Sequence, residues 1–211
     1  MIADYFKSIG FKRMVIMVIG NIFVGMGISI FKLSGLGNDP FSGAVMALAD
    51  LSGISYASLL VIINSALFVI QFIFGRKLIG IGTLVNAVFL GYIVTFFYDI
   101  LICIWISCGS PSSFPVRTAI VFIGVIVISL GVSLYQTSDA GIAPYDSLAL
   151  ITSKKWTKFP YFWHRIFTDG FCAFICFLAG GIVGLGTLVS AFGLGPFVQF
   201  FDTHLSSRLV K

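Results

Sequence analysis

The chain has 211 residues, of which 58% are apolar and only 10% charged, and its mean hydropathy is +1.07. An ordinary soluble domain carries about 25% charged residues, so a water-soluble fold, a disordered chain and a nucleic-acid binder are excluded. The net charge of +5 comes from 13 Lys and Arg against 8 acids, and in an integral membrane protein their placement reports orientation rather than a polyanionic partner.

A spanning helix needs roughly 20 apolar residues. The first apolar run predicts a crossing near 14–34. It is longer than the h-region of a signal peptide and no small-residue cleavage pattern follows it, so it reads as a span. Next comes Gly35-Leu36-Gly37-Asn38-Asp39-Pro40-Phe41-Ser42 and a short apolar stretch to Ala49. Glycines permit a sharp reversal, Pro40 suits a first helical position, and Asp39 suits the N-cap. The helix that follows is too short to span and reads as a re-entrant or interfacial half-helix. Crossings are then expected near 56–75 and 79–101, and Gly109–Ser113 with Phe114-Pro115 makes a polar break. The fourth crossing is expected near 116–137. A second short element follows, Asp139-Ala140-Gly141-Ile142-Ala143-Pro144-Tyr145-Asp146-Ser147, with Asp146 inside its first turn. The fifth and sixth crossings are expected near 160–179 and 183–202, separated by a tight turn at Gly180-Gly181.

With the N-terminus inside, the cytoplasmic side collects Lys7, Lys12, Arg13, Arg76, Lys77, Lys154, Lys155, Lys158, Arg165, Arg208 and Lys211, and the opposite side keeps Lys32 and Arg117. This bias predicts six crossings with both termini in the cytoplasm. Trp156, Tyr161 and Trp163 beside the lysines read as an interfacial belt.

Shifted by 104 residues, the sequence matches itself. Gly20 falls on Gly124, Gly37 and Pro40 on Gly141 and Pro144, and Gly80-Ile-Gly82-Thr83 on Gly184-Leu-Gly186-Thr187. Each half, about 12–102 and about 116–204, holds three crossings, so the second must enter from the opposite side. The expected fold is a single all-α transmembrane domain over 1–211. Its six spanning helices form two inverted three-helix repeats, each with a half-helix, an architecture shared by many secondary transporters.

The pattern Gly141-Ile-Ala-Pro144-Tyr145-Asp146, then Gly184-Leu-Gly186-Thr187, then Phe201-Asp202 resembles the YczE/YitT-type group of bacterial integral membrane proteins. The first half departs from it, since Ser42 follows Pro40-Phe41. The resemblance covers nearly the whole chain and implies a protein of the bacterial inner membrane, without fixing a substrate.

Charged groups inside spans are costly and mark function by default. Asp169, in the fifth span, is the leading candidate for proton or cation coupling and for substrate contact; the alternative is a salt bridge to Arg165 one turn earlier. Its repeat counterpart is Ser65, next to Asn64. Asn38, Asp39, Pro40, Asn64, Pro144, Tyr145 and Asp146 complete the expected substrate site, with an anionic group of the solute meeting the half-helix N-termini at Pro40 and Pro144. Asp99 and Asp202 end the third and sixth spans and are expected to gate the two mouths. Cys103 and Cys108 fall on the outer side, where a disulfide is open to them.

No nucleotide loop, catalytic motif or metal-ligand spacing is present, so neither an enzyme nor a cofactor is expected. The leading function is a secondary transporter or facilitator of a small polar solute, working by alternating access. The alternatives are a substrate-binding subunit of an ATP-driven vitamin-type uptake complex, or a channel or scaffold. The expected partners are the lipid bilayer and a small-molecule solute, with a homodimer left open.

Overall fold

A computed structural model describes residues 10–107 and 113–210, and every regular element among them is helical. The order is α1 (Phe11–Ser34), α2 (Pro40–Ser52), α3 (Tyr56–Phe74), α4 (Ile81–Ser107), α5 (Phe114–Thr137), α6 (Pro144–Lys155), α7 (Tyr161–Leu178) and α8 (Leu185–Phe201). A π-helical turn, Asp202–Ser206, continues α8 into a last short helix, α9 (Ser207–Val210). Large apolar side chains point outward along the helices, among them Phe89, Phe96, Phe122, Phe167 and Phe171. That surface is compatible with lipid and not with water. The molecule is an all-helical membrane protein.

The elements begin and end for local reasons. Gly35, at φ 61°, closes α1 in the left-handed region where glycine carries no Cβ penalty. Asp39 caps α2, its Oδ2 accepting a hydrogen bond from Ser42 N at 3.0 Å, and Pro40 takes the first helical position. Pro144 opens α6 in the same way, without a side-chain cap. The two half-helices are 13 and 12 residues long, too short to cross a bilayer.

Among the described residues four helices, α1, α3, α4 and α5, are long and apolar enough to cross a membrane. The other two expected crossings fall short on these criteria. α7 has 18 residues but carries His164, Arg165 and Asp169 in its first half. α8 has 17 residues, about 26 Å at 1.5 Å per residue, before the π-helical turn.

α1 and α5 form the centre and run antiparallel. Gly20 lies against Gly131, where a Cβ would sit 2.8 Å from the Gly131 carbonyl, and a Cβ at Gly27 would sit 3.2 Å from the Gly124 carbonyl. Glycine at these positions lets the two backbones meet, and Val24, Ile28, Phe31, Val121, Val125 and Ile128 fill the seam. α4 packs on α1 and α8 on α5, while the half-helices cross over, α2 onto α7 and α6 onto α3. The loop before each half-helix bonds to the far half of the chain. Gly82 N donates to Ala140 O at 2.7 Å, and Gly186 N donates to Leu36 O at 2.8 Å. Gln71 and Thr83 side chains also donate to Ile142 O, at 3.2 and 2.9 Å.

Ser65, the position that the expected repeat pairs with Asp169, is exposed, and its neighbour Asn64 is buried. The connection from half-helix to span is 53–55 in the first half and 156–160 in the second. α7 therefore starts 105 residues after α3, and an ungapped shift of 104 points to the wrong face.

Candidate functional site

Arg165 and Asp169 lie one turn apart on α7, facing the start of α6 and the end of α5. Arg165 Nη1 donates to Asp146 Oδ1 at 2.5 Å and Arg165 Nε donates to Asp169 Oδ2 at 3.3 Å. The same two carboxylates accept from buried phenols. Tyr135 donates to Asp146 Oδ2, and Tyr145 donates to Asp169 Oδ1 at 2.5 Å. The guanidinium also lies 5.0 Å from the Tyr145 ring centroid, within cation–π range. Asp146 and Asp169 are 8% and 4% exposed, so pairing and hydrogen bonding are what make their burial tolerable. α5, α6 and α7 are tied together by this one network.

The network faces a cavity of about 630 Å³ between α5, α7 and α8, where Gln136, Tyr161, Arg165, Asp169, Gln199 and Asp202 supply polar groups. Asp202 accepts from Thr137 Oγ1 at 2.8 Å and from Ser207 Oγ at 3.1 Å. A second cavity, of about 320 Å³, is bordered by Lys32, Asp50, Tyr56, Thr95, Tyr98 and Asp99. Lys32 Nζ sits 3.9 Å from the Tyr98 ring centroid. Gln136 and Lys32 lie near the C-terminal ends of α5 and α1. Because those helices are antiparallel, the two cavities open toward opposite ends of the bundle.

The model of a family of unknown function, DUF6198, matches residues 11–203. The chain belongs to this family. Among its relatives is the uncharacterized membrane protein YczE of Bacillus subtilis (strain 168), 28% identical over 182 residues that cover 86% of this chain and 81% of that protein. An uncharacterized protein of Haemophilus influenzae is 25% identical over 194 residues, covering 90% of this chain and 84% of the relative. The uncharacterized protein YyaS of Bacillus subtilis (strain 168) is 26% identical over 198 residues, covering 90% of this chain and 94% of that protein. No solved structure matches. The YczE-type resemblance read from the motifs is thereby shown.

In this DUF6198 protein the Pro144-Tyr145-Asp146 motif supplies two members of the network directly. Asp169 joins them. Of the first-half residues, Asp39 lies within electrostatic reach of Asp169 and Arg165, while Asn38 and Asn64 bond within their own half. Asn38 is buried, its Oδ1 accepting from Asp39 N at 2.9 Å and its Nδ2 donating to Ile28 O at 3.4 Å. Asn64 donates to Ala87 O at 3.4 Å. Pro40 and Pro144 are buried at their helix starts. Asp202 borders the first cavity and Asp99 the second.

The expectation that a solute anion meets both half-helix N-termini does not fit this geometry. The α2 terminus already holds the Asp39 carboxylate, and the first turn of α6 holds Asp146. A further anion at either place would meet like charge. Cys103 is a free thiol among the described residues; Cys108, and with it the disulfide question, lies outside them, as do Lys7, Lys211 and most of the Gly109–Ser113 break.

Two members of the network were not singled out from the sequence as site residues. Arg165 stood there only as a neighbour of Asp169 and a cytoplasmic charge. Tyr135 gave no signal beyond being aromatic in an apolar segment. The Asp146–Arg165 pair spans 19 positions across a loop, and no helical spacing announces it.

Proposed function

We propose that this protein is a secondary transporter or facilitator of a small polar solute, coupled to a proton or cation through Asp169. One observation carries the reading: Arg165 is held between Asp146 of α6 and Asp169 of α7 at a cavity of about 630 Å³. The volume suits a small molecule, and ionisable groups at membrane depth mark ion and substrate pathways. The one guanidinium pairs with two carboxylates, Asp146 and Asp169, and a third, Asp202, borders the cavity that Arg165 and Asp169 line. This excess of acid attracts a proton or a cationic group rather than an anion.

The architecture proposed with it has six crossings in two inverted repeats. The pairing of contacts supports it: the bonds Gly82–Ala140 and Gly186–Leu36 join residues that differ by 104 in each position. The Gly20–Gly131 and Gly27–Gly124 approaches are related in the same way. α7 supports a fifth crossing by turning Phe167, Phe171 and Phe174 outward while keeping Asp169 inside. α8 reaches further as its helical path continues to Val210. Alternating access is then a rocking of one repeat against the other. The Lys and Arg bias supports a bacterial cytoplasmic membrane with both termini in the cytoplasm.

Uptake into proteoliposomes tests the reading. Metabolite pools are offered under imposed pH or sodium gradients, and saturable, gradient-dependent uptake is expected. Asp169→Asn protein that elutes as a folded species should lose the gradient dependence. A steady ion current without saturable uptake, or co-purification with ATPase subunits, would overturn it.

A further inference from the structure

We infer that the stacked rings of Phe41 and Tyr145 are the partition between the two cavities, and that Asp169 latches it. This deepens the transport reading and rests on it. Phe41 and Tyr145 are each the second residue of a half-helix, directly after its proline, and their numbers differ by 104. Their rings lie face to face with centroids 4.2 Å apart and planes 9° from parallel. Two equivalent positions that touch each other mark the point where the half-helices meet. Turn formation at these sites needs the glycines and the proline; it does not need an aromatic ring in both copies.

Each ring reaches one cavity through its own neighbours. Phe41 lies in the first turn of α2, and Met46, Ala49 and Asp50 of that same half-helix border the Lys32 cavity. Tyr145 bonds to Asp169 and lies by Arg165, and both of those residues border the larger cavity. The stack is therefore what lies between a solute at one mouth and the other mouth. The Tyr145 phenol is held by the carboxylate that also binds Arg165. A cationic group that enters the larger cavity competes for Asp169, withdraws the acceptor from the phenol and frees the ring to turn. Recognition of the cation and opening of the partition then become one event at one carboxylate.

Side-specific labelling tests this without knowledge of the solute. The four native cysteines are replaced by alanine, and single cysteines are placed at Thr95→Cys in the smaller cavity or Gln199→Cys in the larger. Intact cells receive the membrane-impermeant anionic thiol reagent sulfonatoethyl methanethiosulfonate, which does not compete for Asp169 as a cation would. With the stack intact, one of the two reporters is expected to react, and it identifies the outer cavity. Phe41→Ala should make the other reporter react as well. Phe41→Leu, which keeps much of the volume without a flat ring, should do so more slowly and serves if the alanine variant does not fold. Tyr145→Phe keeps the stack but not the latch, and should also raise the rate at the far reporter. A far reporter that stays unreactive in folded Phe41→Ala and Phe41→Leu protein overturns the partition, as does reaction of both reporters with the stack intact. An unchanged rate in Tyr145→Phe overturns the latch. Uptake by the unaltered protein, measured in parallel, separates the two ideas: a partition that opens in a protein showing no uptake leaves only the transport reading failed.

Discussion

Arg165 holds two buried carboxylates of different helices, and its removal leaves both without their cation. Breaking a buried pair by deleting one partner costs about 3–5 kcal/mol. Arg165→Gln should therefore lower the melting temperature in detergent strongly. Arg165→Lys should recover only part of the loss, because a compact ammonium lacks the rigid fork whose Nη1 and Nε donors reach carboxylates on two different helices. Equal melting of Arg165→Gln and unaltered protein would show that the network contributes nothing to the fold. The i, i+4 spacing of Arg165 and Asp169 was legible in the sequence because a helix fixes it. Asp146 and Tyr135 were not legible as their partners, since those contacts depend on where α6 and α5 pass α7.

The half-helices and their loops are the elements that bind the two halves together. A Cβ at Gly186 would lie 2.6 Å from the Gly37 carbonyl, and one at Gly82 would lie 3.0 Å from the Gly141 carbonyl. At Gly170, also within a helix, a Cβ would meet nothing within 4 Å. Gly186→Ala should destabilise by roughly 1–3 kcal/mol through forced backbone movement. Gly170→Ala should be neutral or slightly stabilising, because alanine is the better helix former. Thermal melting of the two variants side by side checks the contrast. The boundaries of these elements were legible: α2 begins at Pro40 and α6 at Pro144, and Gly180 turns the chain at φ 77°. Glycine and proline act locally, so their signals survive any packing. The expected pairing of Asp169 with Ser65 fails because two connections of different length shift one helix by a residue.

At the scale of the whole molecule, the antiparallel pair α1 and α5 sets the two half-helices facing from opposite directions. The C-terminal end of α2 at Ser52 and that of α6 at Lys155 are both exposed. Cysteines placed there should label from opposite faces of the membrane, one in intact cells and the other only after permeabilisation. Labelling of both from a common face would remove the inverted arrangement and the transport cycle built on it.

Membrane residence and helix limits follow from sequence alone, because they depend on apolar run length and on residues whose backbone preferences are local. The coarse fold follows from them. The ion network, the facing cavities and the aromatic stack were decided only by tertiary structure. Each needs side chains from helices far apart in the chain, and their meeting depends on crossing geometry and on glycines that let backbones touch, which no linear pattern records.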